Sequence, residues 1–247
     1  MNFKGIILAG GRGSRLSPLT DITNKFLMPV YDKLMIEYSV WSLVNAGITE
    51  IAVVLGIKSA GETMDYLKSG KQYGCKFTYF YQDEPLGAAH ALYQAKDFAG
   101  DSPIVVMCAD NVLYDDIKPL VDKFKGGAYI TTKGFTDEEV LRRFAVLDFN
   151  QETGNVSNII EKPLDPPSGF AFCGIQIYDN DVWGVIEGLR PSSRGEYEIT
   201  HILKSYIKSN KFGWDILKKP WFDCGDKDSL FEAQHYAYLF SNTQETE

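Results

Sequence analysis

Three short apolar runs constrain the fold of this chain more than any other feature of its sequence. They occupy residues 5–9, 51–55 and 104–107. Because almost every position in them is apolar, they are typical of strands that are buried on both faces. Strands of that kind lie at the centre of parallel sheets whose faces are covered by helices. The runs therefore predict a layered α/β fold.

Stretches with helical spacing lie after these runs. Ile36, Val40 and Leu43 recur at helical intervals, and Gly47 follows at a place where a helix commonly ends. Residues 117–124 carry a second apolar stripe with the same period. The first half of the chain therefore has the order β-α-β-α-β, which is typical of a doubly wound sheet.

The second half of the chain mixes the two kinds of pattern. Residues 145–149 and 170–178 are predicted strands, and residues 199–207 form a strongly amphipathic helix. An apolar stripe predicts a last helix over 226–240, followed by a frayed tail after Ser241. No convincing linker interrupts the sequence, so we expect one domain over 1–247 whose second half is rich in strands.

Composition excludes several classes of protein. The chain has 247 residues, 45% of them hydrophobic, which is enough for a full core. Its formal net charge of −8 argues against nucleic-acid binding, because no basic surplus is available to neutralise phosphates. No stretch approaches the roughly 20 apolar residues of a membrane span, and the start lacks a signal-peptide pattern. We therefore expect a cytoplasmic protein without a membrane partner, whose four scattered cysteines are reduced.

A glycine-rich loop follows the first apolar run. Three glycines, Gly10, Gly11 and Gly13, let the backbone turn tightly and bring N–H groups close to an anion. The loop is not a dinucleotide fingerprint, which fails at Leu16, and it lacks the GK[ST] of a P-loop. With Arg15 and Lys25 nearby, it suits a triphosphate held by backbone amides and two cations. The alternative is a tight turn with solvated basic side chains.

The loop and later segments resemble one family. Residues 8–16 resemble the LAGGxGxRL signature of sugar nucleotidylyltransferases, and Lys25 lies in a segment similar to the family's KxLxP motif. Further similar segments follow in the family's order at 82–87, 109–111, 161–163, 195–200 and 221–225. The resemblance is closest to short-form glucose-1-phosphate thymidylyltransferases and covers roughly residues 3 to 240.

The resemblance implies a fold and a reaction. The fold is α/β, a Rossmann-like open mixed sheet flanked by helices, with a nucleotide-binding half at about 1–130 and a β-rich, sugar-binding half at about 131–240. The reaction joins dTTP to a sugar-1-phosphate, with glucose-1-phosphate expected, and releases pyrophosphate. UTP remains an alternative nucleotide, because residues 85–90 also resemble the uridylyl-transferring branch. The family also implies Mg²⁺ and a homo-oligomer.

The resemblance assigns roles to particular residues. The nucleotide-binding set is Leu8, Gly10, Gly11, Gly13, Gln82 and Gly87. The catalytic set is Arg15, Lys25 and Lys162. The sugar-binding set is Asp110, Glu161, Lys162 and Gly174, and the metal ligands are Asp110 and Asp223.

Physical chemistry gives these residues competing interpretations. Asp110 follows a buried strand, at the edge where ligands bind in open α/β sheets, and with Asp223 it offers the oxygen ligands that Mg²⁺ prefers. A turn or a helix cap is the alternative for either carboxylate. Lys162 is either a phosphate ligand or a solvated residue at a strand end. His90 and His201 have no partner at catalytic spacing, which favours core or surface roles for both.

Two other functions stay open on sequence alone. A non-catalytic nucleotide-sugar sensor on the same fold is possible, since fold does not fix function. A Rossmann dehydrogenase is disfavoured by Leu16 in the glycine signature.

Overall fold

The computed structural model describes residues 1–58 and 60–244. Its strands are β1 Lys4–Ala9, β2 Pro29–Val30, β3 Lys33–Leu34, β4 Glu50–Leu55, β5 Lys76–Tyr81, β6 Ile104–Cys108, β7 Asn111–Leu113, β8 Ala128–Gly134, β9 Ala145–Phe149, β10 Val156–Glu161, β11 Phe170–Tyr178, β12 Phe212–Ile216 and β13 Trp221–Asp223. Its α-helices are α1 Leu19–Ile22, α2 Met35–Asn45, α3 Ala60–Leu67, α4 Ala88–Tyr93, α5 Lys96–Ala99, α6 Lys118–Lys123, α7 Glu138–Leu141, α8 Val182–Glu187, α9 Ile199–Lys208 and α10 Lys227–Gln244. Short 3₁₀ helices cover Ser14–Leu16, Lys25–Leu27 and Lys71–Tyr73.

A large mixed sheet forms the centre of the fold. Its main path has the order β10-β9-β11-β6-β1-β4-β5, while β8 pairs with β11 and β12 beside that path. The strands β6, β1, β4 and β5 are parallel, and β11 runs antiparallel to β6. The predicted open mixed sheet is therefore confirmed, and the three apolar runs of the sequence are its neighbouring strands β6, β1 and β4.

Helices cover both faces of the sheet, as the apolar runs required. Alternate residues of β1 enter different apolar clusters, with Ile7 in one and Ile6 in the other. The first cluster also contains Val40 of α2, and the second contains Leu92 of α4 and Leu203 of α9. Burial on both sides explains why the strand sequences are apolar at successive positions rather than at alternate ones.

The register of the parallel strands sets the position of the functional edge. Leu8 lies opposite Val54 on one side and opposite Cys108 on the other. The carboxyl ends of β1, β4 and β6 therefore coincide, and the segments that follow them emerge side by side. In open α/β sheets this edge is where ligands bind.

A small ladder and the last helix complete the second half of the chain. Strand β13 pairs with β7, with Asp223 opposite Asn111. Helix α10 packs on this ladder through Leu230 and Ala233 and continues to Gln244, so the prediction of a frayed tail directly after Ser241 was wrong. Residues 245–247 lie outside the described residues.

Several sequence expectations concern features beyond the sheet. All four cysteines are free. Within the described part of the chain, no helix is both long and apolar enough to cross a membrane. The single domain over 1–247 stays a prediction.

Candidate active site

The glycine loop lies where β1 ends, and one of its glycines is required by its backbone conformation and by space. Gly13 adopts a left-handed backbone with φ of 66°, and a β-carbon there would lie 2.9 Å from Thr20 Cγ2. The Thr20 hydroxyl donates to the Gly13 carbonyl at 2.9 Å, which holds the turn. A β-carbon on Gly11 would lie 3.2 Å from Lys25 Nζ. The loop therefore packs directly against the Lys25 side chain.

Lys25 is a buried cation beside this loop. Its segment begins at Asn24, whose side-chain oxygen accepts a hydrogen bond from the Phe26 N–H at 3.0 Å. Lys25 is only 8% exposed, and its Nζ lies 2.5 Å from Asp110 Oδ2. Burial works to lower the pKa of Lys25, but the charge of Asp110 and the hydrogen bond to it outweigh burial and raise that pKa. Lys25 is therefore a fixed positive charge.

Asp110 lies immediately beyond the end of β6, as predicted. Its Oδ1 accepts a hydrogen bond from Asn111 Nδ2 at 3.0 Å, and Asn111 Oδ1 accepts one from Trp221 Nε1 at 2.5 Å. Burial works to raise the pKa of Asp110, but the Lys25 charge and hydrogen bond lower it below its ordinary value. Asp110 is therefore ionised.

Asp223 reaches the same place from the other end of the sequence. It is paired through the backbone with Asn111, and the N–H of Cys224 donates to the Asp110 carbonyl at 2.9 Å. Its Oδ1 is buried and has no hydrogen-bond partner within residues 1–58 and 60–244. Burial and the charge of Asp110 raise the pKa of Asp223 to about 6, although Lys25, Arg15 and Arg143 oppose the shift.

The two carboxylates fit a magnesium ion. Mg²⁺ is usually held by one or two carboxylates together with substrate phosphates and water, rather than by an all-protein cage. In the described part of the chain, no hydrogen-bond partner contacts the buried Asp223 Oδ1, which lies in a segment paired beside Asp110. Among the residues that the structure describes, no group of three or more His, Cys, Asp or Glu side chains could hold a metal. The donor set thus suits an ion completed by phosphate.

Arg15 lies near the acidic side of the site. A β-carbon on Gly225 would lie 2.7 Å from Arg15 Nη2 and 2.9 Å from Asp223 Oδ1. The guanidinium and the carboxylate therefore share the space above Gly225, and the Arg15 charge lowers the pKa of Asp223 against the burial that raises it. The structure brings Arg15, Lys25, Asp110 and Asp223 together.

Two adjoining cavities flank the glycine loop, with volumes of about 630 and 460 Å³. Both are lined by Gly10, Gly11, Arg12, Gln82 and Pro85. The smaller one also reaches Leu8, Lys25, Gly87 and Asp110. Most of the predicted nucleotide-binding residues therefore surround one continuous space. Arg12 also lines both cavities, although no role was predicted for it from the sequence.

Apart from Asp110, the predicted sugar-binding residues lie at the end of β10 and on β11. Glu161 ends β10, and Lys162 follows it with a left-handed φ of 46°, which is strained for a residue with a β-carbon. The Lys162 N–H donates to the Phe144 carbonyl at 3.0 Å. Gly174 of β11 has a φ of 69°, and a β-carbon there would lie 3.1 Å from Asn111 Nδ2. Gly174 therefore adjoins the Asp110 turn.

An arginine that sequence reasoning missed faces Glu161. Arg194 Nη2 lies 3.4 Å from Glu161 Oε1 and 2.7 Å from Glu198 Oε1. Burial and the charge of Glu198 raise the pKa of Glu161, while Lys162 and Arg194 oppose the shift. Arg194 directly precedes the family-like segment 195–200, and this position was the only feature of the sequence that pointed to it.

Gln82 is buried at the end of β5 and has a partner that was not foreseen. Its Nε2 donates to the Gly87 carbonyl at 3.1 Å and lies 3.0 Å from His90 Nδ1. The core or surface role expected for His90 stays a prediction, and the contact of its ring with Gln82 is an addition to it. His201 lies on α9, where its N–H donates to the Glu198 carbonyl at 3.1 Å.

The chain is similar to proteins of known family. It is 39% identical over 231 residues to the low-salt glycan biosynthesis nucleotidyltransferase Agl11 of Haloferax volcanii, covering 93% of this chain and 64% of that protein. It is 35% identical over 246 residues to a glucose-1-phosphate thymidylyltransferase of Actinoplanes sp., covering 98% and 80%. This chain is thus shorter than both relatives.

Two solved structures are also similar to this chain. A Bacillus anthracis protein described as a candidate glucose-1-phosphate thymidylyltransferase, crystallised with sucrose, is 39% identical and superposes with a TM-score of 0.89 over 95% of both chains. A UDP-glucose pyrophosphorylase complexed with UDP-glucose is 24% identical with a TM-score of 0.83, which shows a shared fold.

The family comparison covers nearly the whole chain. Residues 4–238 match the nucleotidyl transferase family. The match includes the glycine loop, Lys25, both carboxylates and the strands that carry the sugar-binding residues. This chain belongs to the nucleotidyl transferase family.

Proposed function

We propose that this chain transfers a thymidylyl group from dTTP to glucose-1-phosphate, giving dTDP-glucose and pyrophosphate. The observation that carries the proposal is the buried pair of Lys25 and Asp110 beneath the glycine loop, with the buried Oδ1 of Asp223 nearby. Cations and backbone amides next to carboxylates suit a metal-bound triphosphate. The name of the Actinoplanes relative supports the choice of base and sugar.

The proposed reaction needs no general base. A phosphate oxygen of the sugar-1-phosphate attacks the α-phosphorus of dTTP and forms a new P–O bond. The bond from the α-phosphorus to the bridging oxygen breaks, and its electron pair leaves with pyrophosphate. The attacking oxygen is already anionic near neutral pH. Catalysis then consists of positioning the reactants and stabilising charge.

The residues divide the work between the two substrates. The glycine loop, Arg15 and Lys25 bind the triphosphate, and Gln82 with Gly87 contacts the base. Lys162 binds the sugar phosphate, while Glu161 and Gly174 face the sugar. Two polyanions must meet in a protein of net charge −8, so these cations are indispensable.

Magnesium is part of the proposal. Asp110 and Asp223 would hold it, and the ion when bound would neutralise phosphate charge and orient the triphosphate. Burial and repulsion between the two carboxylates disfavour both being charged without a cation, which is consistent with a metal ligand role.

UTP is the alternative nucleotide. Thymine and uracil differ by one methyl group and offer the same N3–H and O4 to Gln82 and Gly87. The resemblance of residues 85–90 to the uridylyl branch favours testing it directly. A homo-oligomeric state and a cytoplasmic location stay predictions.

A substrate panel tests the proposal. Purified protein is mixed with dTTP, UTP, dCTP or dATP and several sugar-1-phosphates, and both pyrophosphate release and the nucleotide-sugar mass are measured. We expect fastest turnover with dTTP and glucose-1-phosphate, loss of turnover in excess EDTA, and recovery with Mg²⁺. Binding of dTDP-glucose without turnover of any pair would instead indicate a sensor, and full turnover in EDTA would refute the metal requirement.

A further inference from the structure

The side-chain amide of Gln82 is held in one orientation by its surroundings. Gln82 is 6% exposed, and its backbone N–H donates to the Leu55 carbonyl at 2.8 Å. Its Nε2 lies 3.1 Å from the Gly87 carbonyl oxygen. A carbonyl oxygen only accepts hydrogen bonds, so the nitrogen of the amide must face Gly87 and the oxygen cannot.

His90 takes the second hydrogen of this amide. Its Nδ1 lies 3.0 Å from Gln82 Nε2, whereas its Nε2 lies 3.4 Å from Gln94 Nε2, an amide that also donates to the His90 carbonyl. A neutral imidazole has one acceptor nitrogen, and the shorter contact assigns that nitrogen as Nδ1. The ring is further located by Tyr197, whose ring centre lies 6.3 Å away.

These two contacts leave one hydrogen-bonding atom of the amide for a ligand. With both Nε2 hydrogens engaged, only Oε1 remains, and it accepts hydrogen bonds but cannot donate them. A β-carbon on Gly10 would lie 2.9 Å from Gln82 Oε1, so this oxygen faces the glycine loop. Gln82 and Gly10 both line the two adjoining cavities. The site therefore presents an acceptor to any base bound there.

We propose that His90 is a positioning residue which fixes Gln82 with Oε1 toward the nucleotide and thereby selects bases that carry an N3–H. Thymine and uracil have this donor, whereas cytosine has an unprotonated N3 that would face Oε1 lone pair to lone pair. An unmatched polar group in a desolvated site lowers affinity strongly. The inference rests on the proposed function for the identity of the ligand, and it concerns how the base is chosen.

Nucleotide titrations of His90 variants test this role. The dissociation constants of dTTP and dCTP are measured by calorimetry at fixed Mg²⁺, without sugar phosphate, for the wild type, His90→Leu and His90→Asn. We expect the wild type to prefer dTTP, and His90→Leu to lower that preference about tenfold, because the amide loses one of its two anchors and can rotate. His90→Asn should restore most of it, since its side-chain oxygen can accept from Gln82. His201→Leu is the matched control and should leave the preference unchanged.

Several outcomes would overturn the inference. One is that His90→Leu weakens the binding of dTTP and dCTP equally. The others are that His90→Asn fails to restore the preference, or that the wild type does not prefer dTTP. If His90→Leu does not fold, N3-methyl-dTTP replaces it as the probe on the wild type. Binding of that analogue as tight as dTTP would refute an acceptor at the base. Absent turnover with an intact dTTP preference would count against the proposed function alone.

Discussion

The ammonium group of Lys25 lies 2.5 Å from a carboxylate oxygen of Asp110, and both side chains are largely removed from solvent. Each charge is tolerated there because of the other: the pKa of Lys25 is raised and that of Asp110 is lowered, although burial alone would shift both the opposite way. The pair therefore keeps the Lys25 ammonium group charged at the edge of the sheet, where we propose that it binds phosphate.

Removing one member of this pair should destabilise the protein. We expect Lys25→Met to lower the free energy of unfolding by about 3 kcal/mol, because it leaves Asp110 buried and unpaired. The double variant Lys25→Met with Asp110→Asn should recover most of that loss. Urea denaturation of the wild type, Lys25→Met, Asp110→Asn and the double variant gives the coupling free energy between the two sites. Strictly additive losses in the free energy of unfolding would contradict the interpretation. The control is Lys96→Met, which removes an exposed ion pair with Glu187 and should have little effect.

Asp223 should make the stability of the metal-free protein depend on pH. Its pKa rises from 3.8 to about 6 on folding, chiefly through burial. The folded state then binds the proton more tightly than the unfolded chain, so the associated stability is full below about pH 4 and is lost as pH rises through 6. In EDTA, we expect Asp223→Asn to gain about 1–3 kcal/mol relative to the wild type between pH 4 and pH 7.5. A difference between the two proteins that does not change with pH, measured by urea denaturation, would contradict this.

Arg15 should matter more for turnover than for nucleotide binding. The glycine loop can hold ground-state phosphates through backbone N–H groups, whereas Arg15 can follow charge onto the departing pyrophosphate. We expect Arg15→Ala to lower kcat about 10²–10³-fold with a smaller loss of dTTP affinity, and Arg15→Lys to restore only part of it. Steady-state kinetics and calorimetry measure the two effects. Near-normal kcat with a large loss of dTTP affinity would show that Arg15 only binds the nucleotide. The control is Arg142→Ala, which changes an exposed arginine.

Lys162 should act on the sugar phosphate alone. Loss of one charge-assisted contact to phosphate costs roughly 1.5–3 kcal/mol, or about 10- to 150-fold. Lys162→Ala keeps the β-carbon at a left-handed position, so the change removes the ammonium group without easing the backbone. We expect the KM for glucose-1-phosphate to rise by that factor while the Kd for dTTP changes little. An equal loss for both substrates would refute the division of labour.

Local pattern predicted much of the sheet. Strands β1, β4 and β6 could be found because burial on both faces makes successive residues apolar, and α2 could be found from its helical stripe. The placement of Asp110 followed from the same reasoning, since it lies just beyond a buried strand.

Long-range pairing could not be predicted from pattern. The ladder that sets Asp223 opposite Asn111 joins two three-residue strands that are far apart in the sequence, and only the family resemblance linked the two carboxylates. The contact of His90 with Gln82 could not be predicted, because a single histidine in an alanine-rich segment has no periodic signal. The contact arises from the turn at Gly87, which brings helix α4 back against Gln82.

The parallel pairing of β1 with β6, in which Leu8 lies opposite Cys108, also has a consequence for folding during synthesis. The glycine loop leaves the ribosome before its neighbour β6, which follows only after the four strands β2 to β5 and the helices between them. Asp223 emerges later still. Pairings between such distant segments form slowly, and domains generally fold as units. A chain truncated before residue 223 would contain the glycine loop but lack Asp223, so we expect interrupted synthesis to give inactive chains rather than partly active ones.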